Sequence, residues 1–218
     1  MRFVLVCALC VMASVSAFAD YTLAVFGDSL SAGYKLPVRD SFYAQLERAL
    51  REKKYNVKVL NASKSGETTV GGLRKVTGLL AQKPNGVILE LGINDSFGNV
   101  PIVSIRDNLQ KLIDQFQNHQ IEVLLVGMKT LPNKAVTYQK QFEEMYRQLA
   151  TQNKLELYPF FMDGIFKPDA LWNLTQKNEN LLPNDVHPSA KGVAIMVRGV
   201  LPTIEKFLNR QGIFPKGY

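Results

Sequence analysis

The chain has 218 residues, 46% apolar and 21% charged, and its 26 Lys+Arg outweigh 19 Asp+Glu for a formal charge of +7. These proportions exclude a disordered chain, a collagen-like fibre and a disulfide-dense miniprotein, and the length suffices for a core without covalent staples. The only cysteines are Cys7 and Cys10, and the only histidines are His119 and His187.

In chain order, the first segment reads MRFVLVCALCVMASVSAFAD. Arg2 supplies a short positive region, Phe3 to Val15 is apolar except at Ser14, and Ala17-Phe18-Ala19 fits the small-x-small cleavage rule. This predicts a secretory signal peptide over 1–19 and one domain over 20–218. The apolar run is short for a bilayer span. Cleavage removes one basic residue, both cysteines and no acid. The mature charge is then +6, and stability rests on an ordinary core rather than on disulfides. The bacterial periplasm is the expected compartment.

Beyond the leader, short β-branched runs predict strands at Thr22–Phe26, Val57–Asn61, Gly86–Leu91, Glu122–Val126 and Leu155–Tyr158. They are almost continuously apolar, as strands buried on both faces of a parallel sheet are. Amphipathic segments lie between them. Ser41–Lys54 aligns Phe42, Leu46, Ala49 and Leu50, and Val103–Asn118 aligns Ile105, Leu109, Leu112, Ile113 and Phe116. Ala135–Gln152 and Ser189–Leu208 follow the same period. The alternation predicts an α/β fold with helices on both faces of a five-stranded parallel sheet.

Sites in such sheets form at the carboxyl ends of the strands. The polar residues expected there are Asp28-Ser29 after the first strand, Ser63 to Gly66 after the second, Asn94-Asp95 after the third and Asn184 to His187 near the end. Ser29 at the start of a helical turn can be an acyl-accepting nucleophile if a base reaches it, although Asp and Ser also serve as ordinary N-caps. His187 is a candidate base or a surface loop residue. His119 has the position of a helix-end carbonyl cap. The Ser29 and Gly66 amides and the Asn94 side chain could form an oxyanion hole, or Gly66 and Asn94 could simply make turns. Asp95 reads as a structural partner in its loop. No Cys or His cluster has metal spacing, and 66–72 lacks the Lys-Ser/Thr of a phosphate loop. Trp172, Leu174, Leu181 and Leu182 suit either an acyl-chain wall or a loop packed on itself.

Four blocks carry a resemblance. GDSLSAGY at 27–34, SGETTVGG at 65–72, GIND at 92–95 and VHP at 186–188 resemble, in order, the blocks of the GDSL or SGNH hydrolases. NDVHPSAKG and PFFMDGIF are similar to the small exported thioesterase, lysophospholipase and arylesterase branch. The resemblance implies a three-layer αβα flavodoxin-like fold and hydrolysis of acyl esters or thioesters through an acyl-serine intermediate. It implies Ser29 as nucleophile, His187 as general base, and Ser29, Gly66 and Asn94 as the oxyanion hole. It implies no metal and no organic cofactor.

The family places an acid three residues before the histidine, and this chain has Asn184 there. Asp185, two residues before, is assigned the orienting role through a shifted turn. The alternatives are Asn184 orienting through its carbonyl oxygen, or a weakened site. Two other functions compete: a carbohydrate or cell-wall O-acetylesterase, and a non-catalytic binding protein on the same fold. Expected partners are a small acyl-ester or lipid substrate and, weakly, an anionic membrane surface. The dispersed lysines and the export signal argue against nucleic acid.

Overall fold

A computed structural model describes residues 21–166, 178–183 and 186–217. The leader, Asn184, Asp185 and most of the loop around Trp172 lie outside the described residues.

The strands are β1 (Tyr21–Gly27), β2 (Val57–Asn61), β3 (Gly86–Glu90), β4 (Glu122–Val126) and β5 (Glu156–Tyr158). They form one parallel sheet in the order β2-β1-β3-β4-β5. Every residue of β3 is buried, which explains why that run is apolar without alternation up to Glu90. The helices are α1 (Ser29–Ala32), α2 (Phe42–Glu52), α3 (Thr69–Leu80), α4 (Ile93–Phe97), α5 (Ile102–Asn118), α6 (Val136–Asn153) and α7 (Ala190–Arg210). Helices α2 and α7 pack together on one side of the sheet, and α3, α5 and α6 on the other. The result is the expected three-layer αβα, flavodoxin-like arrangement.

The predicted helical faces are the packed ones. Ile105, Leu109, Leu112, Ile113 and Phe116 of α5 are fully buried, and Phe116 meets Phe26 of β1 edge to face at 5.8 Å. The sequence reading assigned no helix to 69–80, where Gly71, Gly72 and Gly78 lower intrinsic propensity. Tertiary packing overrides that tendency. A Cβ on Gly72 would lie 2.8 Å from Leu91 Cδ1, so the glycine lets α3 approach the sheet closely.

The order of strands places the functional loops. The chain moves from β1 outward to β2 and then crosses to β3 on the other side of β1. The loops after β1 and β3 therefore diverge at their carboxyl ends, where open α/β sheets form their crevice. Ser29 follows β1, Gly66 follows β2, and Asn94 follows β3.

Candidate active site

Ser29 opens a helix of only four residues. Asp28 caps it by accepting the Leu30 N–H at 2.9 Å, and Gly33 ends it in the left-handed region. The Asp28-Ser29 cap expectation is therefore met by Asp28, which leaves the Ser29 hydroxyl for another partner. That partner is His187, whose Nε2 lies 2.8 Å from Ser29 Oγ across 158 residues of sequence.

His187 is carried by a pinned loop. Leu182 N–H donates to His187 O and Ser189 N–H donates to Asn180 O, each at 2.8 Å, with Leu181 bridged to Pro188 between them. A Cβ on Gly192 would fall 2.0 Å from Asn180 O, so glycine in the first turn of α7 is what lets this segment pass. The Tyr34 ring lies against the imidazole, with centroids 4.4 Å apart and planes tilted by 41°. His119 stands at the far end of α5 with Nδ1 2.8 Å from Gln115 O, the carbonyl-capping position expected of it.

Gly66 lies in the turn closed by Glu67 N–H to Lys64 O at 3.1 Å, and Lys64 N–H in turn donates to Gly27 O at 3.0 Å. Its φ of +77° is glycine's region, and its Cα faces open space. Asn94 reaches the same place from α4. Its amide donates to Glu67 O at 2.9 Å and to Asp28 Oδ2 at 3.2 Å, so it ties the first, second and third blocks together. Asp95 is structural, as read from sequence. It accepts from Thr69 N–H at 2.9 Å and from Thr69 Oγ1 at 2.6 Å, which anchors α4 to the start of α3.

One important residue escaped the sequence reading. Glu90, the last residue of β3, is completely buried beneath the Ser29 turn. Its Oε2 accepts from Ser31 Oγ at 2.7 Å and from Asp28 N–H at 3.2 Å, while Oε1 has no hydrogen-bond partner. Burial, and then the nearby Asp28 carboxylate, hold the Glu90 carboxyl well above the usual carboxylate range. Asp28 is also pushed up by burial, opposed by the Leu30 N–H. Two carboxyls this close and this buried oppose a second negative charge, so each is held above the usual carboxylate range. The available signal was one acid ending an otherwise apolar strand.

The arrangement is an αβα sheet whose switch-point crevice holds a serine–histidine couple beside amide donors, the geometry of a serine hydrolase. Residues 25–195 match the model of the GDSL-like lipase/acylhydrolase family. The chain is 31% identical to esterase TesA of Pseudomonas aeruginosa over 191 residues, covering 87% of this chain and 90% of that protein. It is 32% identical to thioesterase 1/protease 1/lysophospholipase L1 of Escherichia coli K12 over 181 residues, covering 82% and 83%. The crystal structure of the psychrotrophic esterase EstA from a Pseudoalteromonas species, inhibited by monoethylphosphonate, superposes with a TM-score of 0.76 at 30% identity, covering 87% of this chain and all of that one. The chain belongs to the GDSL-like lipase/acylhydrolase family and is a GDSL-type serine ester hydrolase.

Proposed function

We propose that this protein is an exported hydrolase of acyl esters and thioesters, including lysophospholipids and aryl esters, working through an acyl-serine intermediate formed on Ser29. The observation that carries the reading is the 2.8 Å contact between His187 Nε2 and Ser29 Oγ. It is the reach a general base needs to take the hydroxyl proton. Inhibition of the related EstA by a phosphonate, a reagent of serine nucleophiles, supports it.

In this mechanism Ser29 Oγ attacks the acyl carbonyl as its proton passes to His187 Nε2. The carbonyl oxygen becomes an oxyanion facing the Ser29 and Gly66 N–H groups and the Asn94 amide. The Ser29 N–H belongs to the first turn of a helix and has no acceptor within that helix. Of the two Asn94 bonds, the 3.2 Å one to Asp28 is the weaker, so that hydrogen is the one an oxyanion can recruit. The intermediate collapses, the carbon–oxygen or carbon–sulfur bond to the leaving group breaks, and the imidazolium returns its proton to the departing alcohol or thiol. Water then attacks the acyl-serine with His187 again as base, which frees the acid and restores Ser29.

Asp185 orients His187 and balances its charge, with Asn184 as the alternative orienter. No step calls for a metal or an organic cofactor. Residues 20–218 act as one hydrolase domain, delivered to the bacterial periplasm after removal of 1–19.

The test is turnover of a short p-nitrophenyl ester with labelling by a fluorophosphonate. The native protein is expected to be labelled at Ser29 and the denatured protein not at all, and Ser29→Ala to lose turnover. Unchanged turnover in Ser29→Ala sinks the mechanism. A strict preference for acetate together with release of acetate from acetylated glycans would move the substrate to the carbohydrate O-acetyl class.

A further inference from the structure

Seven large hydrophobic side chains are exposed among the described residues, and six of them stand at one end of the molecule. Tyr34 and Val38 follow α1, Val70 is the second residue of α3, and Phe97 is the last of α4. Val103 is the second residue of α5, and Val136 is the first of α6. Helices α3 and α6 follow β2 and β4 and so begin at the carboxyl end of the sheet, Tyr34 lies against His187 with Val38 four residues on, and Phe97 and Val103 flank the short turn from α4 to α5 after β3, so all six belong to the end that holds Ser29 and His187. Phe214, beyond α7, is the exception at the opposite end. Scattered single apolar residues need no explanation, but six gathered around one crevice do.

The helix starts agree. Helices α5 and α6 are preceded by Pro101 and Ala135, with no side-chain cap on the first amides. Polar caps are the rule at such positions because they satisfy orphan N–H groups. Here the first turns instead present Val103 and Val136, exposed by 62% and 65%.

Among the described residues, the exposed charges of this end lean basic. Lys35, Lys64, Lys129 and Lys134 lie in its loops, and the Lys35 ammonium covers the Tyr34 ring at 4.9 Å. Its acids are largely withdrawn. Asp28, Glu90 and Asp95 are buried, and Glu67 is buried against Lys75 at 2.7 Å. Asp40 sits 3.7 Å from Arg39 and offsets it, whereas among the described residues Asp163 and Glu179, the latter bound to Lys191 at 2.5 Å, stay exposed. No described helix is long and apolar enough to cross a membrane, so a lipid contact through this end is peripheral.

We propose that the carboxyl end of the sheet docks on an anionic phospholipid surface, seating Tyr34, Val38, Val70, Phe97, Val103 and Val136 at the headgroup–acyl boundary and the crevice of Ser29 directly over the lipid. The inference rests on the ester-hydrolase reading and adds the physical form of the substrate, an acyl ester drawn from a membrane. Apolar side chains ringed by lysine and arginine are the composition that interfacial binding requires. Each basic side chain near an anionic leaflet adds about fivefold to partitioning, and that part is lost in high salt.

The experiment is co-sedimentation of the full mature chain with phosphatidylcholine vesicles, with and without phosphatidylglycerol. The wild type is expected to sediment with the phosphatidylglycerol vesicles, less with phosphatidylcholine alone and less in high salt. The triple variant Val38→Ser, Val103→Ser, Val136→Ser is expected to bind at least about tenfold more weakly. It should keep wild-type turnover of a water-soluble p-nitrophenyl ester, and Phe214→Ser should bind like the wild type. Wild type that stays in the supernatant, or equal binding by all three proteins, overturns the docking face. A wild-type dimer dispersed by the three serines, with no vesicle binding, assigns the face to a second copy and also overturns it. Soluble-ester turnover reads the ester-hydrolase assignment separately, since its loss in the wild type would undo that assignment whatever the vesicles show.

Discussion

Gly27→Ala tests the packing beneath the nucleophile turn. Gly27 pairs with Glu90 in the β1–β3 register. A Cβ at Gly27 would lie 2.5 Å from Glu90 Oε2, 2.7 Å from Ser31 Oγ and 2.9 Å from Glu90 O. Carbon at ordinary contact stands about 3.5 Å away, so the backbones must part by about 0.5 Å even after the side chains have moved. Overpacking of this kind costs about 1–3 kcal/mol, and about 2–4 °C of Tm accompanies each kcal/mol in a protein of this size. The functional cost is larger, because the shifted segment carries Ser29, and a misplacement of about 1 Å can cost about 100-fold in rate. Gly27→Ala is therefore expected to lower kcat on a p-nitrophenyl ester by about 100-fold and Tm by about 5 °C. A double variant separates the two clashes. Adding Glu90→Ala removes the Oε2 conflict but leaves the main-chain oxygen in place, so kcat should not recover. Gly66→Ala is the control, since only its backbone angle is strained; about 1 kcal/mol of stability and less than about tenfold in rate are expected. Full activity in Gly27→Ala, or rescue by Glu90→Ala, would refute the steric argument.

Three further outcomes follow from the same geometry. Burial holds the Glu90 carboxyl above the value near 4.3 at which the unfolded chain gives up its proton. Its contribution to stability is therefore complete below that pH and is lost as pH rises toward its folded value. Measured by urea unfolding across pH, the stability of wild type relative to Glu90→Gln should fall by up to ~1.4 kcal/mol per pH unit above about pH 4.3; identical slopes would contradict the raised titration of Glu90. Replacing Tyr34 by Ala removes the ring lying 4.4 Å from the imidazole, an aromatic contact of about 0.5–1.5 kcal/mol, so kcat should drop by up to about tenfold while Tyr34→Phe stays near wild type. Equal losses in the two Tyr34 variants would assign the role to the hydroxyl. Asp185→Ala should cost on the order of 10⁴ in esterase kcat and Asn184→Ala far less, and the reverse pattern would make Asn184 the orienter.

The layering was legible in the sequence because it depends on local pattern. Five β-branched runs separated by 3.6-period helices leave little besides a parallel αβα sheet, and the structure keeps four of those helices within a few residues of their predicted ends. The helix at Thr69–Leu80 was not legible. Its glycines weaken the local signal, and the reason for one of them, the side chain of Leu91, comes from the residue that follows β3. The candidate site divides in the same way. The motifs located Ser29, Gly66, Asn94 and His187 on one rim, and the presence of two histidines reduced the search for a base to a choice between them.

Distance, charge state and asymmetry belong to the tertiary structure. His187 and Ser29 are 158 residues apart, and only the pinned loop before α7 brings them to 2.8 Å. Glu90 looks like any acid at a strand end until its burial beneath Asp28 and Ser31 shows why a Cβ at position 27 would be crowded. The net charge of +7, which alone points to no partner, is spread over both ends of the fold, and it is the exposed apolar side chains that single out the end holding the crevice. Composition and period are properties of neighbours in the chain, so the sequence determines them by itself. Proximity, desolvation and the sidedness of a surface are set by residues far apart in the chain, and only the folded molecule decides them.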